Sequence, residues 1–375
     1  MLHRIENTPR DYAWGRSGAI SALLGRPATE AVEAELWLGA HHGSPSRVLG
    51  PGGVPTGETL ADAAPELPFL LKVLAAGAPL SIQAHPDAAQ AREGFERENA
   101  LGIPLDAPHR NYRDPFPKPE FIVAVSPRFE ALAGFRPAAD ASLDVATIAA
   151  PIGAGDAVLP LLDRLRDDAT VGDAFAWLLG GSPEARAAID AIGRGVVQNP
   201  VGFPQEAWIA GLYPGDPGVA VAVLLHKVSL RRGEALYLPA GNVHAYLDGV
   251  GIELMVASDN VLRGGLTPKH VDVAELSRVV DRAASPEPRL EPTALPGGGL
   301  LYAPDDPEAP FSLVHVASTA EVPLTGPAIV LCVDGAFSVA GEESAIDVVR
   351  GDAVLATAGE RSLRVRGDGS LFIAR

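Results

Sequence analysis

Short apolar runs, each closed off by glycine or proline, constrain this chain more than any other feature. The 375 residues hold 40 Gly and 34 Pro. Between them stand Phe69–Leu74, Leu80–Gln83, Phe121–Val125, Val219–Val228, Ala235–Leu238, Ile252–Val256 and Ala328–Val333. Runs of this length between turn residues predict many short strands, and hence a sandwich or barrel. Asp334-Gly335, between Ala328–Val333 and Ala336–Val339, adds a hairpin signal.

The texture changes over 138–205. Leu161, Leu162 and Leu165 have helical spacing, as do Ala174, Trp177 and Leu178. Ser182-Pro183-Glu184 reads as an N-cap, a proline at the first helical position and an acid in the first turn, with the helix running to about Ile192. This stretch is expected to be a helical insertion. The Pro-rich 285–296 segment reads as a linker, followed by a second strand-rich region. Arg232-Gly233-Glu234-Ala235-Leu236 matches Arg350-Gly351-Asp352-Ala353-Val354, and both reach Ala-Gly at the same offset, Ala240-Gly241 and Ala358-Gly359. Such a match implies two copies of one β-fold. His244 of the first copy corresponds to Ser362 of the second.

Hydrophobic residues make up 47% and charged residues 21%, the balance of a globular chain long enough for two or three domains. The single cysteine, Cys332, excludes a disulfide framework and any cysteine-based metal site. A net formal charge of −17 argues against nucleic-acid and anionic-membrane partners, which require basic surfaces. No apolar run is long enough to span a bilayer, and Met1–Glu6 has no signal-peptide core. Cytoplasmic residence is the expectation.

Four segments could carry chemistry. In Ser81-Ile82-Gln83-Ala84-His85-Pro86 a strand would point Ser81, Gln83 and His85 to one face. Alone, that pattern favours a polar surface face. Glu120 opens an apolar strand after Lys118-Pro119, either as an edge charge or as a ligand facing a cavity. His244 follows the Pro239-Ala240-Gly241 turn, where barrels place a metal-binding histidine at the mouth. Asp259 to Lys269 is polar and glycine-rich, and offers Arg263 and Lys269 to an anion. Together, Gln83, His85, Glu120 and His244 make an N₂O₂ donor set open to zinc, manganese, iron or cobalt.

The same segments resemble the type I phosphomannose isomerases, also called mannose-6-phosphate isomerases, of the cupin superfamily. The resemblance rests on Tyr12-Ala13-Trp14-Gly15, Glu35-Leu36-Trp37-Leu38-Gly39, Pro68–Leu74, Ser81–Asp87, Asn111-Tyr112, Lys118-Pro119-Glu120 and Gly134-Phe135-Arg136-Pro137. It continues through Pro239-Ala240-Gly241, His244–Leu247, Ser258–Arg263 and Leu266–Lys269, in order along two thirds of the chain. It implies a mainly β protein with a cupin-type jelly-roll core over 1–137 and 206–284, a helical domain over 138–205 and a C-terminal cupin-like domain over 285–375. It implies one Zn2+ per chain, held by Gln83, His85, Glu120 and His244, and places the family's active-site arginine at Arg263. Two departures stand out. Pro117 occupies the position before Lys118 where the family usually has His. His41-His42-Gly43 replaces a more usual Thr-His-Pro.

The implied reaction is aldose–ketose isomerisation of mannose 6-phosphate and fructose 6-phosphate through an enediol. It needs an acid/base and a stabiliser of negative oxygen. Arg263, Lys118, Asp259 and Glu253 are the catalytic candidates, and Ser81, Lys72 and Lys269 the substrate-binding ones. Lys118 and Arg263 are also possible phosphate anchors. A small sugar phosphate is the expected partner, and a monomer the expected state. The competing readings are a sugar-phosphate-binding cupin without turnover and an Fe(II) oxygenase built on His85, His244 and Glu120.

Overall fold

The computed structural model describes residues 1–375. Nine strands form the sheet system that carries the candidate residues. Five lie in the order Leu225–Arg231, Arg128–Phe135, His244–Met255, Leu70–Ala76, Glu35–Leu38. Ile82–Ala84, Glu120–Ala124, Ala235–Leu238 and Leu262–Gly265 complete it. All pairings are antiparallel. The period of two is clean. Leu71, Val73, Ala75, Phe121 and Val123 face one apolar cluster shared with the C-terminal sheet. Leu74, Ala76, Ile122 and Ala124 face the barrel interior with Phe129, Leu236 and Tyr246. Lys72 and Glu120 share the interior parity of Leu74 and Ile122, so alternation alone turns these charges inward.

Helices cover the opposite flank. Their cluster takes in Ile82, Ala84, Leu132, Ala245, Leu247 and Leu262 from the barrel strands. Helix Pro183–Gln198 begins as expected, with the Ser182 hydroxyl accepting from Ala185 N at 3.2 Å, and runs six residues past Ile192. Helices also extend beyond residue 205, as Pro204–Leu212 and Gly218–Leu224.

The expected strand Val219–Val228 is therefore corrected. Its first half is a helix in which every residue is buried, and a strand begins only at Leu225. Packing on all sides within the helical layer overrides the β-leaning Val/Ala alternation. Asp334-Gly335 is not a hairpin either. One strand, Ala328–Ala340, runs through it with a register shift against Ser362–Ala374 between Cys332 and Asp334. Gly335 has φ +78°, and a Cβ there would lie 1.9 Å from the Asp368 carbonyl oxygen. The positive φ that suits a turn here makes a bulge.

The second sheet has 11 strands and holds most of the C-terminal region. The chain's first strand, Leu2–Glu6, inserts into it between Ala353–Ala356 and Arg47–Leu49. The two matched segments adopt one conformation. In each, a strand ends in an Arg-Gly turn with positive φ (Gly233 +86°, Gly351 +93°), then a four-residue strand, a second turn and a long strand. The 285–296 segment is no free linker. Leu290 N and Pro288 O hydrogen-bond to Ala235 and Tyr237, strapping it along the short strand.

Candidate active site

Register brings the metal candidates together. Gln83 pairs with His244 on one side and with Arg263 on the other, so all three point from neighbouring strands to one face. Glu120 and Lys118 enter at the start of the Glu120–Ala124 strand. The ligating atoms of His85, Glu120 and His244 lie within 4.8 Å of one another, and all three residues are buried. Gln83 Nε2 is 3.3 Å from His244 Nε2, and a half-turn of that amide presents its oxygen instead.

Both imidazoles are oriented from behind. His85 Nδ1 meets the Asn260 carbonyl at 2.8 Å, and His244 Nδ1 meets the Asn242 carbonyl at 3.0 Å. Each Nδ1–H donates outward, which leaves each Nε2 lone pair aimed into the site. Burial, helped by the Lys118 ammonium, pushes the His85 imidazole down to about 4, so it is neutral. His85 Nε2 lies 3.5 Å from Glu120 Oε2, and His244 Nε2 lies 3.1 Å from Glu120 Oε1.

Glu120 Oε2 accepts from Lys118 Nζ at 2.6 Å, while Oε1 is buried without a hydrogen bond. Burial alone would raise this carboxyl, but Lys118 and the two imidazoles outweigh it and hold it well below its usual range. An ionised carboxylate oxygen left unpaired beside two Nε2 lone pairs is costly unless a cation fills the gap. Two imidazoles, a carboxylate and an amide, with no thiolate, fit zinc.

Beside the metal donors is a buried charge cluster. Lys72 Nζ lies 3.1 Å from Glu253 Oε2 and 3.4 Å from Glu35 Oε1, over the Trp37 ring, whose Nε1–H donates to Glu35. Burial opposes the Lys72 charge, but these carboxylates win and raise its pKa above the usual lysine range. Burial raises Glu253 despite Lys72. With both carboxylates engaged, Lys72 is not free to anchor a phosphate.

The anion-binding candidates lie elsewhere on the rim. Arg263 and Lys269 form no ion pair, and Arg113 joins them, also unpaired. Burial first and then Arg113 lower Arg263, while burial, Arg263 and Arg113 lower Lys269. Mutually repelling cations with no carboxylate in ion-pair contact are ready for a dianion. Leu266, buried at φ +54°, bends the chain between Arg263 and Lys269, and its N–H is held by Asp216 at 2.9 Å. Ser81 is half-buried just before Ile82, with no hydrogen bond to its hydroxyl.

Asp259 faces neither Lys72 nor Glu120. Its Oδ1 lies 3.3 Å from His41 Nε2, and its Oδ2 lies 3.7 Å from His42 Nε2. The His41 hydrogen bond holds Asp259 below its usual range. Gly43 N donates to His41 Nδ1, which leaves the His41 proton on Nε2, aimed at Asp259.

Sequence reasoning assigned no role to Arg113, Glu35 or Asn260. Asn260 is fully buried. Its side chain accepts from Arg113 N and donates to the Asp114 and Phe116 carbonyls, while its own carbonyl holds His85. One amide thus fixes the loop that leads into Lys118 and one metal donor. Lys118 reaches His85 and Glu120 directly from that loop, although Pro117 replaces the family's histidine. The Ser258-Asp259-Asn260 run was the available signal for Asn260, but nothing local to Arg113 marks it.

Comparison with known proteins agrees with this geometry. Residues 2–138 match the phosphomannose isomerase type I catalytic domain. The mannose-6-phosphate isomerase of Escherichia coli (strain K12) is 36% identical, over 99% of this chain and 98% of that protein. That of Cryptococcus neoformans var. neoformans is 30% identical, over 96% of this chain and 95% of that protein. The crystal structure of the Salmonella typhimurium enzyme bound to substrate (f6p) and zinc is similar with a TM-score of 0.86 at 33% identity, covering all of this chain and 98% of that one. A zinc-bound holo structure of mannose 6-phosphate isomerase has the same TM-score. The chain belongs to the type I phosphomannose isomerase family.

Proposed function

We propose that this protein interconverts mannose 6-phosphate and fructose 6-phosphate, with one zinc ion per chain held by Gln83, His85, Glu120 and His244. The observation that carries the reading is the unpaired Glu120 oxygen facing two outward-anchored imidazoles, next to the Lys72–Glu253 pair. Zinc, when bound, supplies Lewis-acid polarisation of the sugar oxygens.

The phosphate is taken by Arg263, Lys269 and Arg113, and Ser81 offers a hydroxyl donor nearby on the Gln83 segment. In the open-chain sugar one proton moves from C2 to C1 and one from O2 to O1, so no atoms are gained or lost. Glu253 takes the carbon proton and returns it. Burial makes it a stronger base than a surface carboxylate, and Lys72 steadies it in the ionised form. Lys118 donates to developing negative oxygen beside Glu120 and relays the hydroxyl proton from O2 to O1, whereas Asp259, turned to His41 and His42, takes no part in the proton transfer. The same reading makes the protein a cytoplasmic monomer whose partner is a small sugar phosphate, not a nucleic acid or a membrane. No helix is long and apolar enough to cross a membrane.

The test is a coupled assay of mannose 6-phosphate conversion on wild type and Glu253→Gln, with zinc content measured on both. The expected result is turnover by wild type and a loss of about 10²-fold or more in kcat with zinc retained, the scale of a lost general base. Undiminished kcat in Glu253→Gln overturns that assignment. Absence of fructose 6-phosphate from zinc-loaded wild type overturns the function.

A further inference from the structure

The two matched Arg-Gly turns share more than a conformation. In each, the acid that follows folds back on the turn, with Arg231 N donating to Glu234 Oε2 and Val349 N to Asp352 Oδ2, both at 2.9 Å. In each, that acid is already paired with an arginine from elsewhere: Glu234 with Arg289 at 3.3 Å, Asp352 with Arg4 at 2.7 Å. The turn arginines are therefore left without a carboxylate. Arg232 has no hydrogen-bond or ion-pair partner. Arg350 is held only by neutral carbonyls, Nε to Leu23 at 2.9 Å and Nη2 to Ala22 at 2.6 Å.

Both arginines line one cavity of about 450 Å³, where the barrel meets the C-terminal sheet. In a chain of net charge −17, two guanidinium groups against the single free carboxylate of Asp334 leave this cavity locally cationic, a local anion site. The remaining polar lining suits hydroxyls. Asp334 forms no ion pair, Ser370 hydrogen-bonds His315 Nε2 at 2.9 Å, and His315 Nδ1 is unengaged. One wall is Val123 and Ala124, the far end of the strand that begins at Glu120.

We propose that this cavity binds a small phosphorylated polyol, with its phosphate between Arg232 and Arg350 and its hydroxyls on Asp334, Ser370 and His315. The site is distinct from the active site and shares no residue with it. A cavity of this size with few convergent polar groups matches the usual form of a small-molecule site.

Calorimetric titration of the zinc-loaded protein with glucitol 6-phosphate, a hexitol phosphate that cannot isomerise, tests the proposal. Two equivalents are expected to bind wild type. One is lost in Arg232→Ala and in Val333→Trp, which fills the cavity, and the other in Arg263→Ala. Arg232→Ala keeps kcat and KM for mannose 6-phosphate within two-fold of wild type. A single equivalent in wild type that Arg263→Ala abolishes overturns the second site and leaves the proposed function standing. Two equivalents that persist in both cavity variants overturn it as well.

Discussion

Glu120 and Glu253 are both buried carboxylates, yet they are shifted in opposite directions. Lys118 and the imidazoles hold Glu120 ionised, while burial keeps Glu253 high in spite of Lys72. That division separates a metal donor from a base within one cavity. Removing Lys72 strands Glu35 and Glu253, so Lys72→Ala should cost about 3–5 kcal/mol in urea unfolding as well as activity. Adding Glu253→Gln should recover part of that stability, and a double mutant no more stable than Lys72→Ala would contradict the pairing. Asp259 gives a pH test. Its pKa is depressed in the folded state, so its stabilising term is present above the unfolded value, near pH 4, and is lost as pH falls through the folded one. The stability gap between wild type and His41→Ala should therefore be constant at neutral pH and shrink in acid; a gap unchanged down to pH 3 would contradict the His41–Asp259 interaction. The grouping of His85, Glu120 and His244 was legible because the family resemblance marks their segments together, and the structure brings the three side chains within reach of one another. Arg113, Asn260 and the His41 contact were not, because their roles arise from residues brought together across more than a hundred positions of chain.

Among the elements, strand alternation was the legible feature. The runs around Lys72 and Glu120 were expected as strands, and the interior parity of their charges follows from a period of two. The Ser182 cap was equally readable, and Ser182→Ala should cost about 1 kcal/mol, measured as a lower Tm with unchanged kcat. A changed kcat would mean that the helical layer bears on the chemistry more closely than its packing implies. Gly218–Leu224 and Asp334-Gly335 misled for different reasons. In the first, burial on every side erases the periodicity that separates a short helix from a strand. In the second, a glycine at positive φ serves a turn or a bulge equally well, and only the partner strand decides.

At the scale of the whole molecule, the barrel is clamped between a helical layer and a second β-sheet, each with its own apolar cluster against it. The insertion of Leu2–Glu6 beside Ala353–Ala356 could not be read from the chain, because pairing between residues some 350 positions apart leaves no local pattern. Three of the four candidate metal donors, Gln83, Glu120 and His244, lie on paired strands, and His85 directly follows Ile82–Ala84, so zinc removal should lower Tm by binding linkage without unfolding the protein. The most direct test combines zinc analysis with the coupled isomerase assay on folded protein before chelation, after it, and after zinc is restored. The account predicts one zinc per chain, fructose 6-phosphate formed from mannose 6-phosphate, activity lost with the metal and regained with it. Undiminished conversion by zinc-free protein, or none by folded zinc-loaded protein, would contradict it.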